Sequence, residues 1–145
     1  MLVSEWMTHP VHTVKPHDNA MHARELVEVH RINQLPVTKS DEVVGIVSDR
    51  DLRDAYPSVF ESAAEGTTHA EGYTAPDQIT IESIMSPNVL TVTPDTSLVE
   101  AARLMRTERI GALPVVENGK IRGILARSNV IEAFLALAGS GDDER

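Results

Sequence analysis

Ser48 and Asp51, in the run Gly45-Ile-Val-Ser-Asp-Arg-Asp51, are the side chains best suited to hold a ligand. The run reads as the end of a strand passing into a helix. At a helix start the backbone N–H groups lack intrahelical partners and the peptide dipoles favour an anion. A carboxylate there can accept two hydrogen bonds from vicinal hydroxyls, as on a ribose, and a serine hydroxyl can bond a phosphate or sugar oxygen. The same S-x-x-D spacing is also that of a plain capping pair. Spacing alone favours the cap.

A second run of the same shape, Gly123-Ile-Leu-Ala-Arg-Ser-Asn129, follows 78 positions later. Ala126 has no hydroxyl, and Asn129 is neutral where Asp51 is charged. The helix cap is expected to shift to Ser128. The two sites are therefore chemically unequal.

Other chemistry finds less support. Five of the six histidines (His9, His12, His17, His22 and His30) fall in the first thirty residues. Pro16 interrupts them, His12 is expected on a strand, and no H-E-x-x-H spacing occurs, so surface histidines are expected and no metal site. The chain has no cysteine, which removes disulfides, thiolate metal sites and a cysteine nucleophile. It contains no G-x-S-x-G, G-x-x-x-x-G-K or G-x-G-x-x-G motif. Trp6 reads as packing. Arg31 and Arg109 close predicted helices, where cations suit the dipole. No enzyme activity is expected.

The elements that would position these residues come as a repeat. Met7, Val11, Thr13, Val14, Pro16, Arg31, Leu35, Pro36, Val37, Gly45 and Ile46 each recur 78 positions on, with no gap. Each copy reads as a short β piece (VHTVKP or VLTVTP), a helix, a strand (LPVTK or LPVVE), a turn, a strand (VVGIVS or IRGILA) and a helix. Ser97 and Glu100 have capping-box spacing, and Asn19 stands in the place of Ser97. Asn118-Gly119 is a strong hairpin signal. The fold class is thus α+β, two β-α-β-β-α units, with residues 1–57 as the first repeat and 79–138 as the second. Residues 58–78 read as an acidic linker, with some helix around 59–64. The last helix is expected to end at Gly139, with 139–145 a disordered tail. One copy alone buries too little to be stable, so two copies are expected to share a core with approximate two-fold symmetry. Such packing leaves clefts between the halves, ordinary places for small ligands.

Bulk properties agree. The chain has 145 residues, 41% hydrophobic and only 3% aromatic, so its core must come from aliphatic side chains. Its mean hydropathy of −0.16 fits a globular protein. No apolar run approaches a membrane span of about 20 residues, and the start, MLVSEWM, lacks the basic and apolar parts of a secretory signal. A cytoplasmic location is expected. A net charge of −9 argues against nucleic-acid and anionic-membrane partners.

The repeated M-[TS]-x-x-[VL]-x-T-V-x-P, R-I-x-x-L-P-V and G-I-[VL]-x-x-x-[DN] patterns closely resemble tandem CBS domains, named after cystathionine β-synthase. The resemblance covers about residues 1–56 and 79–138. The start and the linker length are similar to bacterial CBS proteins of the acetoin-utilisation type. The resemblance implies a pseudo-two-fold pair of repeats (a Bateman module), commonly joined to a second pair as a homodimer. It implies a regulatory role and an adenosyl ligand: AMP, ADP, ATP or S-adenosylmethionine, with no required cofactor. By position, Asp51 would hold the ribose hydroxyls, Ser48 would assist and Ile46 would line the base pocket. That cleft would borrow Val89, Gly111, Ala112 and Ser128 from the other repeat. The Asn129 cleft would borrow Val11, Asn33, Gln34 and Arg50. The first has the carboxylate without a matching cation, and the second has the cation without the carboxylate. The expectation is a main site at Asp51 that prefers adenosine-like or monophosphate ligands to triphosphates. The alternative is a ligand-free adaptor with degenerate sites.

Overall fold

The computed structural model describes residues 1–55 and 76–142. Its helices are α1 (Val3–Trp6), α2 (Ala20–His30), α3 (Asp49–Ala55), α4 (Ile81–Ile84), α5 (Leu98–Glu108) and α6 (Arg127–Asp142). Its strands are β1 (Gln34–Lys39), β2 (Glu42–Ser48), β3 (Ala112–Glu117) and β4 (Lys120–Ala126). The fold is α+β, with two antiparallel two-stranded sheets, β1–β2 and β3–β4.

The hairpins follow from their turns. Ser40 and Asp41 have φ of 52° and 64°, and Asn118 and Gly119 have 53° and 78°. Two successive positive φ values make a tight turn whose twist matches that of the flanking strands. Registers are equivalent: Gln34 faces Ser48 and Val37 faces Gly45, as Ala112 faces Ala126 and Val115 faces Gly123. The register shifts at the same place in each hairpin, after Val37 and after Val115, with the extra residue, Val44 or Arg122, on the second strand.

The first β piece of each copy is a single bridge, Val14 to Val37 and Val92 to Val115. Val14 donates to the Pro36 carbonyl at 3.1 Å and accepts from Thr38 at 2.9 Å. A parallel ladder would continue through the nitrogen of Pro36 on one side and of Pro16 on the other. Neither carries a hydrogen, so pairing stops after one residue. Pro94 and Pro114 impose the same limit on the second copy.

Helix starts follow the capping signals. The Asn19 side chain accepts from His22 N at 2.8 Å, and Ser97 Oγ accepts from Glu100 N at 3.1 Å. Both helices end at an arginine in the left-handed conformation, Arg31 and Arg109.

The chain forms two compact units, His12–Asn88 and Met1–Val11 with Val89–Arg145. They are called here the first-copy and second-copy units. Their bounds differ from those of the sequence repeats, because each copy's leading segment sits in the unit built from the other copy. In the first-copy unit, Ala20 N donates to Ile79 O and Ile81 N to Asp18 O, both at 2.8 Å. Ile81 is fully buried with Val14, Ala23, Leu35, Val37, Val47 and Leu52. In the second-copy unit, Val3 N donates to Thr96 O and Leu98 N to Met1 O, both at 2.9 Å. Val3 is fully buried with Ala101, Leu113, Val115 and Leu125. Each unit thus completes its own buried cluster with a residue from the other copy's leader.

This exchange accounts for two of the repeated residues. Ser86 and Ile46 exchange backbone hydrogen bonds of 2.9 and 3.0 Å, and Thr8 and Ile124 do the same. The leaders therefore add to the hairpins, with Met85 lying on Gly45 and Met7 on Gly123. A side chain at either glycine would occupy the place of the methionine.

The end of the chain departs from expectation. α6 does not stop at Gly139 but runs to Asp142, so residues 139–142 are helix and not a disordered tail. Gly139 is not in the left-handed conformation that a glycine cap requires. A helix already formed gains a hydrogen bond per added residue, which offsets the roughly 1 kcal/mol disadvantage of each glycine. Of the expected linker, Pro76–Gln78 forms one 3-10 turn; the helix expected around 59–64 lies outside the described residues.

Candidate functional site

The two strand-to-helix junctions are built alike and finished differently. In the first-copy unit β2 delivers Ser48 to the start of α3. Asp51 N donates to Ser48 Oγ at 2.9 Å, and Ser48 N donates to Asp51 Oδ2 at 2.9 Å. This is the reciprocal pair that a capping box forms, so the bland reading of S-x-x-D is correct as local structure. It does not exhaust the carboxylate. Asp51 is only half-buried, and its Oδ1 has no hydrogen-bond partner among the described residues. An ionised carboxylate with one free oxygen on a semi-exposed helix start can still accept from a ligand hydroxyl.

In the second-copy unit Asn129 takes over half of that pair. Ala126 N donates to Asn129 Oδ1 at 2.8 Å, and no hydroxyl at 126 returns the bond. The expected shift of the cap to Ser128 does not occur: Ser128 is exposed, and the cap is made by Asn129. Only Asn129 keeps its acceptor three residues beyond the strand's last N–H, where it can fold back. Its amide nitrogen donates to Thr8 Oγ1 at 3.3 Å, and the residue is 7% exposed. Both ends of this side chain are engaged within the protein.

The remaining candidates divide between the units. Ile46, Asn33, Gln34 and Arg50 belong with Ser48 and Asp51 in the first-copy unit; Ile46 and Gln34 are half-buried, while Asn33 and Arg50 are exposed. Asp49 N donates to Asn33 O at 2.9 Å, which holds Asn33 beside the start of α3. Val11, Val89, Gly111, Ala112 and Ser128 belong with Asn129 in the second-copy unit. There Arg127 N donates to Gly111 O at 3.2 Å, the equivalent contact. Arg50 lies 3.8 Å from Asp54, an exposed pair with little hold on either side chain.

Two of the cavities that lie within single units contain none of these twelve residues. One, of about 660 Å³ in the first-copy unit, is lined by Lys15, His17, Thr38, Asp41 and Glu82 among others. The other, of about 450 Å³, lies between α5 and α6. The five early histidines are exposed, and His12 lies outside any strand, its ring stacked on His30 with centroids 3.7 Å apart. Among the described residues no group of three or more metal-binding side chains forms, and no helix is long and apolar enough to cross a membrane.

Three features escaped the sequence reading. Thr8 as a partner of Asn129 depends on the exchanged leader and leaves no sequence signal. The seating of Met7 and Met85 on glycines was visible only as co-repetition. The charge reversals Glu28 to Arg106 and Asp49 to Arg127 were legible at the 78-residue offset.

The CBS domain family model matches residues 3–58 and 81–136. The chain belongs to the CBS family. Among curated CBS proteins, the chloroplastic CBSX1 of Arabidopsis thaliana is 31% identical over 157 residues, covering 97% of this chain. This chain spans 66% of that relative's length. Among solved CBS structures, an acetoin utilisation protein (AcuB) from Vibrio cholerae superposes with a TM-score of 0.79 at 26% identity, covering 99% of this chain and 96% of its own. CBSX2 in complex with AMP gives 0.76 at 32% identity, covering 94% and 98%. The CBS domain pair of MJ0100, in complex with 5′-methylthioadenosine and S-adenosylmethionine, gives 0.72 at 25%, covering 92% and 95%.

Proposed function

We propose that this CBS pair is a regulatory module that binds an adenosyl compound at the Asp51 junction and changes conformation to control a partner. The observation that carries this reading is the contrast between the two junctions. Among the described residues Asp51 keeps a free carboxylate oxygen beside its cap, whereas Asn129 has committed both ends of its side chain inside the protein. AMP in the CBSX2 structure, and 5′-methylthioadenosine and S-adenosylmethionine in the MJ0100 structure, support the ligand class. Asp51 would accept the ribose hydroxyls, Ser48 would assist, and Ile46 would face the base. The residues that the resemblance assigns to this ligand from the other copy, Val89, Gly111, Ala112 and Ser128, carry no cation, which favours a monophosphate or a nucleoside over a triphosphate. A homodimer in the cytoplasm is the working form.

Thermal shift against AMP, ADP, ATP, adenosine and S-adenosylmethionine tests the reading, with sedimentation of the same samples reporting the dimer. A ligand selective for the folded state adds about 2.7 kcal/mol at a hundredfold excess over Kd. Asp51→Asn is the informative variant. Asn129 shows that the amide still caps the helix, so the fold persists while the charged acceptor is lost. A charge-assisted hydrogen bond contributes about 1.5–3 kcal/mol, which predicts roughly 10- to 150-fold weaker binding. Equal binding by Asp51→Asn would remove the site assignment. ATP binding far more tightly than AMP would remove the preference. No shift with any adenosyl compound would leave a ligand-free adaptor.

A further inference from the structure

The cavity beside the β1–β2 turn, within the first-copy unit, brings side chains of both signs together. Its wall includes Lys15 and His17 from the turn before α2, Lys39 and Asp41 from the hairpin, and Glu82 from α4. Val44 and Met85 supply an apolar part, so the wall is polar and apolar in comparable measure. The backbone fixes this frame. Lys15 N donates to Asp18 Oδ2 at 2.8 Å and Asp18 N to Lys15 O at 3.0 Å, which closes one turn. Glu82 N donates to Pro16 O at 3.0 Å and holds α4 against that turn, and Thr38 N donates to Val14 O at 2.9 Å and holds β1 beside it. Glu82 lies 3.9 Å from His17. Lys15, Lys39 and Asp41 form no ion pair with one another or with any other described residue. Unlike charges thus line one space of about 660 Å³ and stay out of contact, each with its capacity intact. That volume is in the range of small-molecule sites.

The second copy shows the same corner bridged from within. Val44 and Arg122 are the extra residues of the two hairpins, and such a bulge re-aims the side chain it carries. Arg122 reaches Glu117 on the facing strand at 3.3 Å. At the equivalent positions of the first copy Val44 is short and apolar, and Lys39 is a cation. No internal pair can form there. Thr93 and Gly119 stand in the second copy where Lys15 and Asp41 stand in the first, so the three unpaired charges belong to the first copy alone.

We infer that this cavity is a second ligand site, for a small zwitterion of dipeptide size that carries an ammonium and a carboxylate on a short apolar body. Lys15 and Lys39 take the carboxylate by charge-assisted donation, and Asp41 accepts from the ammonium. Val44 and Met85 take the body. The formal charges of Lys15, Lys39, Asp41 and Glu82 cancel, so the wall favours neither a bare anion nor a bare cation. An occupant with both signs answers all of them. β2 begins at this cavity and ends at the Asp51 junction, so the two sites lie at opposite ends of one strand. This site does not rest on the reading given for that junction.

Calorimetry with alanyl-leucine tests the inference. Its N-acetylated, C-amidated and doubly capped forms are the controls, which remove one charge or both. The zwitterion is expected to bind at least about tenfold more tightly than any capped form. The variant Lys39→Glu/Val44→Arg installs the second copy's internal pair and is expected to lose at least about tenfold in affinity. Any AMP-induced thermal shift is expected to stay as it is in the wild type. Should that variant fail to fold, Lys15→Gln/Lys39→Gln is expected to show the same loss. Equal binding by the doubly capped form overturns the inference, as does full affinity in either folded variant or no binding of alanyl-leucine to the wild type. Tighter binding by the N-acetylated form overturns it in favour of a plain anion site. Binding that AMP displaces and Asp51→Asn removes overturns it in favour of the Asp51 junction.

Discussion

A methyl group added at Gly123 would lie 2.8 Å from Met7 Sδ and 2.8 Å from the Thr8 carbonyl oxygen, closer than real Cβ atoms come. The sulfur can swing aside. The carbonyl cannot, because Thr8 N donates to Ile124 O at 2.9 Å and Ile124 N to Thr8 O at 3.0 Å. Overpacking a tight site costs about 1–3 kcal/mol, and weakening one of these hydrogen bonds adds about 1 kcal/mol. Gly123→Ala should therefore destabilise by roughly 2–4 kcal/mol. At Gly45 the closest atom is the mobile Met85 Sδ, and the Ser86 carbonyl stands back at 3.2 Å. Gly45→Ala should cost only about 1–2 kcal/mol. Urea denaturation reads the difference, and melting temperatures should fall about 3 °C per kcal/mol for a chain of this length. A double-mutant cycle sharpens it. Met85→Ala should relieve most of the Gly45→Ala penalty, while Met7→Ala should leave much of the Gly123→Ala penalty in place. Gly123→Ala within about 0.5 kcal/mol of wild type, or full relief by Met7→Ala, would refute the reasoning.

Other consequences are open to equally direct measurement. Ile81→Ala should cost about 2–4 kcal/mol, and hydrogen exchange should show the loss of protection in 12–48 rather than in 98–126, because Ile81 is buried in the first-copy unit. Ala126→Ser should restore the missing half of the second capping box and stabilise by roughly 0.5–1 kcal/mol in urea denaturation; an unchanged midpoint would count against the geometry at that junction. Ser97→Ala should cost about 1 kcal/mol through loss of the cap on Glu100 N, seen as a lower midpoint with an unchanged slope.

Much of the fold was legible because its causes are local. Asn19 and Ser97 mark helix starts where their side chains cap N–H groups, and Asn118-Gly119 marks a turn that needs two positive φ values. The repeat located the first hairpin from the second. The first β piece was legible only in part, since its alternation looked like a strand while Pro16 and Pro36 held it to one bridge. Nor did anything local reveal that each leader belongs to the other copy's unit. Met7 and Gly123 repeat in step with Met85 and Gly45, but the offset that reveals this pairs like with like and is silent on which methionine meets which glycine.

The candidate site divides the same way. Ser48 and Asp51 were visible as a capping pair with capacity to spare, and the geometry of Asp51 leaves that capacity in place. The loss at Asn129 was visible as a missing charge. Its full extent was not, because the contact that occupies its amide comes from Thr8, on the exchanged leader. An Asn in place of Asp alone would weaken a ligand acceptor. An Asn held at both ends must first break two internal bonds before it can receive anything. Thr8→Ala frees one end of Asn129 without touching the cap from Ala126. It should therefore leave AMP-induced stabilisation at Asp51 unchanged. If that stabilisation instead moved with Thr8, ligand response would depend on the second junction, and the division of labour drawn from the two side chains would fail.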